Sequence, residues 1–247
     1  VYGWWLPPLP EDLPVFVTVR AGGSRLTRRD LKVRRANLTD DDVRQLRGVP
    51  VTSPVRTLLD LAQVLSVLDL VVVADAALKR RHVTLAELRT VSHIERRGIR
   101  TYRRMTELAD AKSESAWETM LRLLHVLCGI AVEVQPDIFD AAGGWIARSD
   151  LRIKGTKRLP EYDGGSHRDP DRHRYDLQRD KLLSRAGYER YGYIAREICT
   201  QPEMIIGDAE DALGWPVDLE RLDGWLSEFN RSLFARGGVT RWAARWC

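Results

Sequence analysis

The sequence predicts an α/β chain in two parts: an α+β N-terminal part, then a mixed sheet flanked by helices. Three observations predict it. Residues 13–39 alternate apolar and polar positions as strands do, residues 52–92 contain successive helix starts, and from Ser113 helix and strand patterns alternate at short intervals.

Taken in order, "LPVFVTVRAGG" (13–23) and "LKVRRANLT" (31–39) read as strands, and with no hydrophobic domain before them the start reads as truncated. In "TSPVRTLLDLAQVL" (52–65), Ser53 is placed to cap a helix and Pro54 suits its first position, where the missing N–H costs nothing. A second helix covers about 66–79, and in "TLAELRTVS" (84–92) Thr84 and Glu87 have capping-box spacing. The polar, basic "ERRGIRTYRR" (95–104) reads as a domain boundary. Trp117, Met120, Leu121, Leu124 and Leu127 then mark an amphipathic helix over 115–128, with His125 packed within it. Strands follow at 130–135 and 144–153, and a turn near Gly155 leads into a returning strand with Glu161 and Asp163. A helix over 171–187, closed by Gly187, precedes a last strand at 188–197. The order is therefore α-β-β-β-α-β. Leu219, Leu222, Leu226, Phe229 and Leu233 predict one further helix ended by Gly237, with the tryptophans of "RWAARWC" docking on the chain. The expected domains are 1–105, 110–200 and a helical extension over 201–247.

Composition narrows the function. A 44% hydrophobic content suits a chain with a sizeable core. The longest apolar stretch, "LDLVVVADAAL" (68–78), falls short of the roughly 18 to 20 residues of a membrane span and contains Asp69 and Asp75. The opening "VYGWWLPPLPEDL" lacks a basic segment followed by an apolar one, so the expected location is cytoplasmic, with no membrane partner. Three cysteines without C-x-x-C spacing indicate neither a disulfide framework nor a zinc site. The net charge of +4 is unevenly placed. Residues 148–196 hold 13 Lys or Arg against 8 Asp or Glu, and residues 20–35 hold seven basic residues against Asp30 alone. Such clusters suit a polyanion or a solvated basic face.

The stretch "RLPEYDGGSH" (158–167) is where chemistry concentrates. Glu161 and Asp163, two apart on a strand, share a face. Two like charges so close need a partner, and a metal ion, a basic side chain or water would each serve. Asp150 lies eleven residues before Glu161, on the strand expected to hairpin into it, so the two are expected as cross-strand neighbours with Asp163 beside them. Three such carboxylates suit a hard cation, and Glu118 on the preceding helix would add a fourth. Taken singly, Glu118 also reads as half of a capping box with Ser115, Asp150 as a solvated residue, and His167 as a polar loop residue.

The segments "SESAWET" (113–119), "SDL" (149–151), "EYDGGSH" (161–167), "RD" (179–180) and "AGYERYGY" (186–193) together resemble the PD-(D/E)XK nuclease superfamily. Within it they are similar to very-short-patch-repair endonucleases (Vsr-like, domain of unknown function 559) of actinobacterial type. Upstream, "GVPVTSPVRTLLDLA" (48–62) resembles a segment of proteins related to AbiEi-type antitoxins. The resemblance implies a restriction-endonuclease-like core and Mg²⁺- or Mn²⁺-dependent hydrolysis of DNA phosphodiesters, in repair or defence. It implies Asp150, Glu161 and Asp163 around the metal, Glu118 as an outer ligand or water-orienting group, and His167 assisting proton transfer. Asp163 stands where the superfamily usually has lysine. Arg148, Arg152, Lys154, Arg179 and Lys181 would contact the DNA, a duplex that is mismatched or damaged, and a homodimer would suit double-strand cutting. One departure is "KRLP" before Glu161, where Pro160 is expected to remove a ladder hydrogen bond. The other reading is a non-catalytic DNA-binding regulator of AbiEi antitoxin type that uses the same fold.

Overall fold

In the computed structural model, residues 1–22, 28, 30–93, 95–164 and 170–244 are described, the side chains of 170–176 excepted. The chain is mixed α/β and divides into two compact units, residues 1–109 with 232–247, and residues 110–231. None of the described helices is long and apolar enough to cross a membrane.

The first unit opens with β1 (Val15–Arg20) and β2 (Leu31–Ala36), a parallel pair, followed by the antiparallel pair β3 (Val43–Leu46) and β4 (Val49–Thr52). Arg47 and Gly48, both at positive φ, make the two-residue turn whose twist matches such a hairpin. Ser53 caps α1 (Pro54–Leu61) as expected, its side chain accepting from the Arg56 N–H. The centre of the unit is α2 (Val67–Lys79), apolar on every face and buried from Val67 to Leu78, as a helix surrounded by protein must be. Thr84 and Glu87 close the capping box of α3 (Leu85–Thr90). The basic stretch expected near a boundary runs into α4 (Ile99–Leu108), whose Ile99, Tyr102, Met105 and Leu108 are buried as it packs against α2, and the units divide just after it, between Ala109 and Asp110. At its start Gly98 has φ +84°, and a Cβ there would lie 2.7 Å from the Ala62 carbonyl oxygen. Asp60 holds this unit's edge together, meeting Arg56 at 3.0 Å, Arg96 at 2.9 Å and Arg34 at 3.4 Å.

In the second unit, Ser115 caps α5 (Ala116–Leu127) and His125 is fully buried on it. Five strands follow where three were expected: β5 (Val132–Val134), β6 (Asp137–Phe139), β7 (Trp145–Arg148), β8 (Leu151–Ile153) and β9 (Arg158–Tyr162). The stretch read as one strand over 144–153 is β7 and β8, and they take different partners, β6 and β5 respectively. Next come α6 (Pro170–Arg185) and β10 (Glu189–Tyr193), which pairs parallel with β9 along its length. Leu159 on β9 and Leu183 on α6 share a core with Ile138, Ile146 and Ala147. On the other face of β9, Tyr162 stacks on Trp117 of α5, and Arg158 reaches Glu189 and Asp211. Helices therefore cover both faces of the β9–β10 pair.

The C-terminal stretch is not one extension. Short α7 (Ala195–Thr200), then α8 (Pro202–Leu213) and α9 (Leu222–Phe229), belong to the second unit, whereas α10 (Gly238–Ala243) belongs to the first. The expected long helix stops at Phe229, Leu219 is exposed, and Gly237 starts α10 at φ +71° rather than ending a helix. Trp242 does dock within the chain, its indole N–H donating to the Val64 carbonyl oxygen at 2.9 Å. Leu233 is anchored more deeply. Its N–H donates to both carboxylate oxygens of Asp69, at 3.0 and 3.2 Å, while Asp69 also closes the capping box of α2 with Ser66. Burial raises the Asp69 carboxyl above its ordinary range despite these donors. Asp69→Ala should lose about 2–3 kcal/mol of stability in urea denaturation, because it removes a cap and leaves the Leu233 N–H buried without an acceptor.

Candidate functional site

The site is built on β9. In a parallel ladder, alternate residues of a strand bond to the same neighbour. The Glu189 N–H donates to the Lys157 carbonyl oxygen at 3.0 Å and the Asp163 N–H to the Tyr193 carbonyl oxygen at 2.8 Å, so odd-numbered residues of β9 bond to β10. Pro160 is even-numbered, and its missing N–H costs this ladder nothing. Pro160 pairs opposite Tyr191, and the expected lost bond falls on the strand's other side, where β9 lies beside β8 without a ladder.

The outward N–H next along the strand, that of Tyr162, finds a side chain instead of a strand. It donates to Asp150 Oδ2 at 2.9 Å. This is how Asp150 and Glu161 become neighbours, not through the expected hairpin, since β8 is laddered to β5 and β9 to β10. Gln135 supplies the next link. At φ +50°, it donates its backbone N–H to the Asp150 carbonyl oxygen at 2.9 Å. Its side-chain Nε2 donates to Glu118 Oε2 at 3.0 Å and Asp150 Oδ1 at 3.3 Å. Glu118 also accepts from the Glu114 N–H at 2.8 Å, so only the Ser115 half of the expected capping box forms. Burial raises the Glu118 carboxyl. Asp150 is pushed up to about 7, first by burial and then by the Glu118 charge, with Glu161 adding to it.

Glu161 is 5% exposed and carries its own counter-charges. Its Oε1 meets Arg179 of α6, and its Oε2 accepts from Arg190 Nε of β10 at 2.6 Å. Arg190 also pairs with Asp163. Of the three partners open to this acidic pair on sequence grounds, the structure supplies the basic side chain. Register explains the reach: Leu159 pairs with Arg190 and Glu161 with Gly192, so Arg190 stands on the face of Glu161. Gly192 leaves room there for Asp163, whose Oδ2 would lie 1.9 Å from a Cβ.

The remaining expected residues are dispersed. Arg148 pairs with Glu114 at 3.1 Å and Arg152 with Glu133, while Lys154 and Lys181 are exposed. His167 lies outside the described residues. Among the described residues, no group of three or more His, Cys, Asp and Glu is arranged to hold a metal ion. Asp150, Glu161 and Asp163 as they stand do not fit the expected Mg²⁺ or Mn²⁺, because guanidinium groups cover Glu161 and Asp163 where a cation would need bare oxygens. Gln135 and Arg190 were not singled out in the sequence. Their only local signals are a polar residue ahead of Pro136 and a charge inside the aromatic strand "YERYGY".

The fold and site define a two-unit mixed α/β chain with a buried carboxylate cluster closed by arginines. Residues 9–111 match the family of the AbiEi antitoxin C-terminal domain. No curated protein and no solved structure matches the chain.

Asp150 gives a pH test. Its folded pKa of about 7 lies above the unfolded value of about 4, so between these pH values the folded chain keeps a proton that the unfolded chain has released. Stability from this group falls as pH rises through that window and is level on either side. Asp150→Asn keeps an oxygen for the Tyr162 N–H, and should flatten this slope in thermal melts and raise Tm at pH 8 by a few degrees.

Proposed function

We propose that the chain is a DNA-binding regulator of AbiEi antitoxin type, with a second unit of nuclease-like character. The match of residues 9–111 to the antitoxin family carries this reading. Charge supports it: Arg97 and Arg100, beside and on α4, are exposed and have no ion-pair partner among the described residues. The pairing of Glu161 and Asp163 with arginines supports a binding role over a hydrolytic one.

Fluorescence anisotropy with a labelled duplex in EDTA tests the reading. Binding should weaken steeply with salt, and Arg97→Ala with Arg100→Ala should lower the logarithmic salt slope by about 2. Absence of salt-dependent binding would overturn it.

The second reading is the Mg²⁺- or Mn²⁺-dependent DNA endonuclease. It draws on one observation, the burial of Asp150 beside Glu118 and Glu161, which raises its carboxyl. It expects Mn²⁺-dependent nicking of supercoiled plasmid that disappears in Asp150→Asn, whereas the regulator leaves the plasmid intact.

A further inference from the structure

Both oxygens of the Glu161 carboxylate are taken, one by Arg179 and the other by Arg190, and Arg190 extends to Asp163. Asp150 is likewise engaged, with the Tyr162 N–H on Oδ2 and Gln135 Nε2 on Oδ1. A divalent cation needs several oxygens at about 2.0–2.6 Å with their lone pairs turned toward it. Here guanidinium hydrogens meet those lone pairs, and two positive charges stand where the cation's charge would go. The carboxylates are nevertheless gathered, since one Gln135 amide nitrogen reaches both Glu118 and Asp150, and Asp150 holds the N–H of Tyr162, the residue after Glu161.

We propose that Arg179 and Arg190 close this carboxylate cluster to divalent cations, with Arg190 as the principal latch. Among the described residues Arg190 alone touches both acids of the pair, and at 27% exposure its side chain is more open than that of Arg179, at 17%. It stands two residues before Gly192 on the same face of β10, and Gly192 has no side chain to part it from Asp163. The closure is independent of whether the chain binds DNA, because it concerns only contacts within the second unit.

Mn²⁺ titration followed by the electron paramagnetic resonance signal of the free ion tests it in the full chain. The wild type should take up no Mn²⁺ at concentrations up to about 1 mM, well above the roughly 10⁻⁷–10⁻⁵ M range in which carboxylate-rich Ca²⁺ sensor sites fill with their own cation. Arg190→Lys keeps a positive charge near Glu161 but cannot bridge both acids, and should bind at least tenfold more tightly than the wild type. Arg190→Ala should bind more tightly again, and its melting temperature should rise with Mn²⁺ while that of the wild type stays put. Adding Asp150→Asn to Arg190→Lys should abolish the gain. Tight Mn²⁺ binding by the wild type would overturn the proposal even if Arg190→Ala failed to fold. So would a folded Arg190→Lys, checked by circular dichroism, that gains no affinity.

Discussion

An ionised carboxylate taken out of water must be given counter-charge and hydrogen bonds, or its burial costs several kcal/mol. Glu161 is such a group in the second unit, and satisfying it ties β9, β10 and α6 together. It draws Arg179 from α6 and Arg190 from β10, so the helix on one face of β9 and the strand beside it meet at a single side chain. Removing either partner would leave one of its two oxygens without a donor. Gly192 is part of the same requirement, because only a residue without Cβ lets Asp163 share Arg190.

Asp150 answers a different need with the same chemistry. A buried strand N–H also needs an acceptor, and Tyr162 has no ladder on that side to supply one. The Asp150 carboxylate substitutes for a backbone carbonyl, and its burial there, with Glu118 and Glu161 close by, raises its pKa. Gln135 makes the crowding tolerable by donating to Glu118 and Asp150 from one amide nitrogen. The first unit uses buried acids in the same way. Asp69 receives the Leu233 N–H far along the chain, and Asp60 gathers arginines from β2, α1 and the segment before α4.

Where the sequence was legible, the signal was local. Ser53, Thr84 and Ser115 announced helix starts because a cap is an interaction over two or three residues. The apolar spacings marked α2 and α5, and the α/β class followed from the order of elements. Readings failed where a short pattern served two structures. Residues 144–153 look like one strand, yet Ser149 and Asp150 turn the chain between two partners. In "ERRGIRTYRR" the polar face outweighs the residues it buries against α2, so its helix went unread although the units do divide just after it.

By itself, then, the sequence determined the class of fold, the helix starts, and the presence of Glu118, Asp150, Glu161 and Asp163 as acids in need of partners. Only the tertiary structure decided what those partners are. Arg179 and Arg190 lie 18 and 29 residues from Glu161, and no local periodicity carries a contact of that separation. The same holds for Pro160. Its residue type predicts a lost bond, but whether the missing N–H matters depends on which neighbour that side of the strand faces, and strand pairing is settled by packing on both faces at once.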